Sequence, residues 1–275
     1  MMCGSVSAPP FPRKDKSKMI YDLQKASILK RISAWLLDVI LLVIMVTGAA
    51  ALIASLTGFD SYSQQFSAAM EKYEQEYGVP LDTYPEGYDT MSQEELEQYE
   101  KTYNEAYDAL CADTDAVYAY SMCVNLMLLI VSLSILAAYL VTEFIVPLLL
   151  GNGQTLGKKV FSIAVMRTNG VKITPMALFI RTFLGKYTVE TMIPVLMLLM
   201  LMIGAGDVLS LAIPVILLIA QIIMLIVTHT NSLIHDKLSD TVTVDMASQM
   251  IFATEEDLLN YKKKVAAEKA ERETY

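Results

Sequence analysis

A chain of 275 residues that is 54% hydrophobic and 19% charged, with 17 methionines, has the balance of a polytopic membrane protein with modest soluble parts. Three cysteines, Cys3, Cys111 and Cys123, make an odd set without a CxxC pair, so neither a disulfide framework nor a zinc site is indicated. A serine elbow, an HExxH helix, a Cys-His pair and a nucleotide-binding loop are all missing, which leaves an enzyme the least supported class. The net charge of −9 suits no nucleic-acid partner, and no cofactor or metal is expected.

The first thirty residues run from Pro9, Pro10 and Pro12 into Arg13, Lys14, Lys16 and Lys18, without the short apolar core of a signal peptide. They read as a cytoplasmic tail, residues 1–30, ahead of a first span that serves as its own uncleaved signal. That span, about residues 32–56, is uncharged except for Asp38, which stands seven residues beyond Arg31. A carboxylate at that depth costs roughly 2.5 to 3.5 kcal/mol, so it needs a partner, a wet cavity or a task.

Residues 58–115 follow as an insertion with 15 acidic residues against Lys72 and Lys101, a local charge of −13. Tyr62, Phe66, Met70, Tyr73 and Tyr77 recur at helical spacing, as do Leu96, Tyr99, Tyr103, Tyr107 and Leu110. Ser92 and Glu95 have capping-box spacing at the start of the second series. The pattern predicts an acidic helical hairpin whose aromatic faces meet. Its acidity serves either to keep an exposed cap soluble or to concentrate cations near a membrane path.

The second span covers about residues 118–145, and Glu143 lies eight residues before Gly151. Segment 151–159, Gly-Asn-Gly-Gln-Thr-Leu-Gly-Lys-Lys, departs from a phosphate-binding loop because Asn152 stands where glycine is needed and a strand is expected next. Residues 160–166 read as that strand, Thr168-Asn169-Gly170 as a turn and Val171 to Thr174 as its hairpin partner. Thr174 and Pro175 then start a helix over 176–186, read as interfacial. Spans at about 188–204 and 208–229 come next, joined tightly through Gly204-Ala205-Gly206-Asp207. Residues 241–245 alternate as a third short strand, and Thr254 with Asp257 opens a charged C-terminal helix in residues 245–275.

Basic residues fix the expected orientation. Nineteen of the 21 lysines and arginines fall in the N-terminal flank, between spans two and three, or after span four. The expected fold is thus an all-α membrane protein of four transmembrane helices with both termini cytoplasmic. It carries a short cytoplasmic three-stranded element and an extracytoplasmic acidic hairpin.

Arg31 with Asp38 in the first span, Gly153-x-Thr155-Leu156-Gly157-Lys158, and His235-Asp236-Lys237-Leu238 followed by Thr241-Val242-Thr243-Val244 together resemble the RDD family of bacterial membrane proteins. The family is named for one arginine and two aspartates, and by that motif the positions here are Arg31, Asp38 and Asp236. The resemblance covers roughly residues 26–56 and 117–244 and implies a membrane domain at residues 31–244, to which the acidic loop and the C-terminal helix are additions. It implies a bacterial inner-membrane location and a part in transport, with no agreed substrate.

At 1.5 Å per residue, Asp38 lies about 10 Å inward from Arg31 and Glu143 about 12 Å inward from Gly151, so two carboxylates share a level. Glu190 in the third span joins them from nearer the surface. Two such carboxylates do not both stay ionised in low dielectric, so the pair is expected to hold a proton or a cation. Asp38, Glu143 and Glu190 are therefore the candidate ion-binding residues. Arg31 either clamps Asp236 or meets substrate directly. The leading reading is a carrier of a cation, proton or small solute in the lipid bilayer, and four spans are few for a carrier, which favours a homodimer. The alternative is a non-transporting interaction or sensor module whose acidic loop binds a partner.

Overall fold

The computed structural model describes residues 22–85 and 87–273. Much of the proline- and lysine-rich start, with Cys3, lies outside them. Four helices have the length and apolarity to cross a membrane: α1 (Ile28–Thr57), α4 (Thr114–Leu150), α6 (Pro175–Met202) and α7 (Val208–Val227). Between them lie α2 (Phe59–Tyr77), α3 (Gln93–Ala112), α5 (Leu156–Val160) and β1 (Ile163–Arg167), and after them α8 (Ile234–Leu238), β2 (Thr241–Asp245) and α9 (Glu255–Glu273). The chain forms two compact units, one of residues 43–138 and the other of the remainder.

In the first unit, Gly58 at φ +73° ends the run of α1 and lets α2 begin. The Ser92 and Glu95 capping box starts α3 as its sequence predicts. Asp113 then interrupts the helix, and its carboxylate accepts the amides of Asp115 (3.0 Å) and Ala116 (3.2 Å) to cap α4. Helices α2 and α3 pack together. The aromatic rings distribute differently from the expected face-to-face meeting. Tyr99, Tyr103 and Tyr107 stack along α3 itself, while Tyr62 and Phe66 of α2 meet Tyr118 and Tyr120 of α4.

The second unit is organised by a small sheet. β1 pairs antiparallel with β2, from Ile163 opposite Asp245 to Arg167 opposite Thr241. This corrects the expected hairpin: the 168–170 turn forms, but residues 171–174 contribute only single bridges, Met166 to Lys172 and Val171 to Phe252. The reason is burial, because β2 offers Val242 and Val244 to Ala164 and Met166 in one closed cluster. Residues just before α1 cover the other edge, with the Ala26 amide on the Thr243 carbonyl (3.1 Å) and the Asp245 amide on that of Gln24 (3.0 Å). β1 is buried on both faces, which explains its unbroken apolar run.

Two further expectations change. The 151–155 turn is followed by a helix, α5, not a strand, because the Thr155 hydroxyl caps it by accepting the Lys158 amide. The segment 176–186 is not a separate interfacial helix. It continues into the third span, and residues Ile180–Met192 of α6 adopt π-helical geometry, as do Leu140–Ile145 of α4.

Two glycines set the approach of these elements. A Cβ on Gly157 would collide with the Ala34 carbonyl oxygen of α1, and one on Gly185 would stand 2.7 Å from the His235 Cα of α8. Backbone cannot yield there as a flexible side chain would. Gly157→Ala and Gly185→Ala are each expected to cost about 1–3 kcal/mol and lower the thermal midpoint in detergent. Gly48→Ala, in the membrane helix α1, where a Cβ meets open space, should leave it unchanged or raised.

Candidate functional site

The charged residues of the spans converge at their sheet-bearing ends. On α1, Arg31, Ala34 and Asp38 follow one another at three and four residues and so share a face, and Arg31 and Ala34 are the buried residues of that helix. On α6, Arg181, Lys186 and Glu190 are spaced by five and four, a pattern that i→i+5 hydrogen bonding stacks on one side. Glu143 lies in the π-helical turn of α4. Such turns are rare and often mark functional positions.

Asp236 is fully buried, with 0% exposure, and centres the first cluster. Arg31 donates to its Oδ2 at 2.9 Å, Arg181 donates to its Oδ1, and the Leu233 amide donates at 3.1 Å. Arg181 also donates to the Thr241 hydroxyl at 2.7 Å, which ties β2 into the pairing. Burial alone would raise the Asp236 pKa, yet the guanidinium groups of Arg181 and Arg31 hold it well below the usual carboxylate range.

The second cluster holds Asp38 and Glu143. Asp38 accepts the Thr155 hydroxyl at 2.5 Å and the Gly157 amide at 2.8 Å, so α1 fixes the start of α5. The Lys158 ammonium stands 3.9 Å from Asp38 Oδ2 and 3.8 Å from Glu143 Oε2, and donates to the Thr155 hydroxyl at 3.2 Å. Lys186 binds the other Glu143 oxygen at 2.6 Å. The unpartnered carboxylate pair read from matched depth is thus replaced by a carboxylate, ammonium, carboxylate arrangement. The shared cation is the chain's own lysine. Burial pushes Lys158 down from the ordinary lysine value to about 8, against the opposing pull of Glu143.

Glu190 does not join that pair. It accepts the His235 amide at 2.9 Å and meets His235 Nδ1 at 2.8 Å, and Gln221 also reaches it. Burial, with Arg181 nearby, lowers the His235 pKa from 6.5 and favours the neutral ring, whose Nδ1–H then donates to Glu190. Between the two clusters, the Tyr139 and Thr191 hydroxyls are hydrogen bonded at 2.7 Å. Among the described residues, no group of three His, Cys, Asp or Glu side chains is placed to hold a metal.

The sequence pointed to Arg31, Asp38, Glu143, Glu190 and Asp236; it set Thr155 and Lys158 in a motif without a place in the site, and it gave no sign of the partnering of Lys158, nor of Arg181 or Lys186. The last three count toward the basic flanks that orient the chain, which hides them as cytoplasmic charges. The spacing of Arg181, Lys186 and Glu190 on a single apolar helix was the available signal.

Four membrane-length helices whose ends share a buried network of paired charges, closed by a small sheet, define a polytopic α-helical membrane protein. The model of the RDD family matches residues 25–240, most of the chain, and the chain belongs to that family. Comparison with curated proteins and with solved structures finds no match.

Because Asp236 holds two arginines, its loss leaves both buried without it. Asp236→Asn should destabilise by about 3–5 kcal/mol, and Arg31→Met, which leaves the Arg181 pair intact, by less; thermal midpoints in detergent compare them. The lowered pKa of His235 means that the unfolded chain binds its proton first. Stability present above pH 6.5 is therefore lost as pH falls, and the midpoint should drop between pH 7 and 5.5 in the native chain but much less in His235→Gln.

Proposed function

We propose that the protein carries a monovalent cation in exchange for a proton across a bacterial cell membrane, at the Asp38, Lys158 and Glu143 cluster. The observation that supports this is the Lys158 ammonium, 8% exposed, held between two carboxylates with a pKa near 8. While charged, it fills the cation position. Once it gives up its proton, Glu143 keeps Lys186 but Asp38 loses its countercharge, and the pair, now one charge negative, favours one incoming cation. The same oxygens thus serve either an internal ammonium or an external ion, and an exchange follows from that competition. With nineteen basic residues on one side against two on the other, the sheet-bearing ends face the cytoplasm and the acidic hairpin faces outward. The hairpin's charge of −13 raises the local cation concentration around it.

One observation favours a second reading. Asp38 is already bonded by Thr155 and Gly157, as a static clamp in a non-transporting module would require. Reconstituted vesicles separate the two. Under sodium, potassium or lithium gradients, the native chain should release protons at a rate that rises with pH through about 8, since Lys158 must be neutral for the site to open. Lys158→Met should abolish that pH dependence, and Asp38→Asn or Glu143→Gln should abolish the flux. Vesicles that stay tight under every gradient, with the folded chain inserted, would leave the clamp reading standing.

A further inference from the structure

At the sheet-bearing ends of α4 and α6 a cavity of about 360 Å³ is lined by Pro147, Gly151, Asn152, Lys172, Thr174 and Leu178, among others. It is separate from the charge clusters above. The basic residues buried or half-buried in this unit pair with acids: Lys158, Arg167, Arg181, Lys186 and Arg31 each reach a carboxylate. Lys172 reaches none among the described residues. Its backbone N–H donates a hydrogen bond to the Phe252 carbonyl at 2.8 Å, and its ammonium lies 3.7 Å from where a Cβ would stand on Gly151. Asn152, held at φ 50°, lines the same cavity, and its side-chain amide has no partner among the described residues. Two uncommitted donors, one of them cationic, therefore line one opening.

The apolar surroundings identify the anion's source. Pro147 and Leu178 form buried walls, and beside the opening Leu148, Leu149, Met176 and Phe179 are exposed on the membrane helices themselves, Leu149 at 80%. A free anion has no use for that surface, whereas acyl chains do. The opening sits where two spans end, which is headgroup level. We propose that this cavity binds the phosphate of an anionic phospholipid, with Lys172 as its cation, the Asn152 amide as a second donor and the exposed leucines along its chains. The proposal stands independently of the transport reading.

Native mass spectrometry of the full chain in detergent tests it with three probes: phosphatidylglycerol, phosphatidylcholine and inorganic phosphate. Phosphatidylglycerol should be retained over phosphatidylcholine. Its occupancy should fall at least about fivefold in Lys172→Glu, the size expected for loss of a single lysine charge at an anionic lipid surface, before the repulsion of the new carboxylate. A smaller fall is expected in Asn152→Gly, which keeps the positive φ while removing the amide. Lys159→Gln, at an exposed lysine off the cavity, should bind as the native chain does. Lys172 is exposed, so its substitution should leave the thermal midpoint in lipid-free detergent unchanged. Equal retention of the two lipids, undiminished binding by Lys172→Glu, or stabilisation by inorganic phosphate equal to that by phosphatidylglycerol would each overturn the proposal.

Discussion

A charge removed from water must be met by a countercharge, and in this protein that requirement falls most heavily on Asp236. Continuum estimates place the desolvation of a single buried ion at several kcal/mol even after relaxation. Asp236 meets it with Arg31 from α1, Arg181 from α6 and the amide that opens its own helix. Three elements far apart in sequence are thereby fixed by one side chain. Thr241, held by Arg181, extends the tie to β2, and β2 in turn carries β1 and the segment before α1.

The remaining charges obey the same requirement. Arg31, Lys158, Arg181 and Lys186 face Asp38, Glu143, Glu190 and Asp236, so the network is neutral when His235 is uncharged. Neutrality is what allows so many ionisable groups at the ends of apolar helices. It also constrains activity, because any ion that enters must displace or discharge a resident group. Gly157 and Gly185 make the network possible, since any larger residue would hold α5 off α1 or α8 off α6.

Much of the framework was legible in residue order. Apolar length gave four spans, Ser92 with Glu95 gave the start of α3, and the Thr-Val-Thr-Val alternation of 241–244 gave a strand. Matched depth brought Asp38 and Glu143 to one level. The lysine between them was not legible, because Lys158 is adjacent to Lys159 in sequence and only the five-residue turn of α5 sends one inward and leaves the other exposed. The expected hairpin failed for a related reason: an Asn-Gly turn sets where the chain reverses, while the strand partner is chosen by what completes the buried face.

By itself, then, the sequence determined which segments enter the membrane, which way basic residues would orient them, and that Arg31, Asp38, Glu143, Glu190 and Asp236 must find partners. Those follow from hydropathy and from the cost of desolvating charge, which are properties of short segments. Only the tertiary structure decided who partners whom: Asp236 with two arginines, Glu190 with His235, and Asp38 with Glu143 through Lys158. Ion pairing acts over a few ångströms, and residues as distant in sequence as Arg31 and Asp236 come within that range only once the helices and sheet have packed.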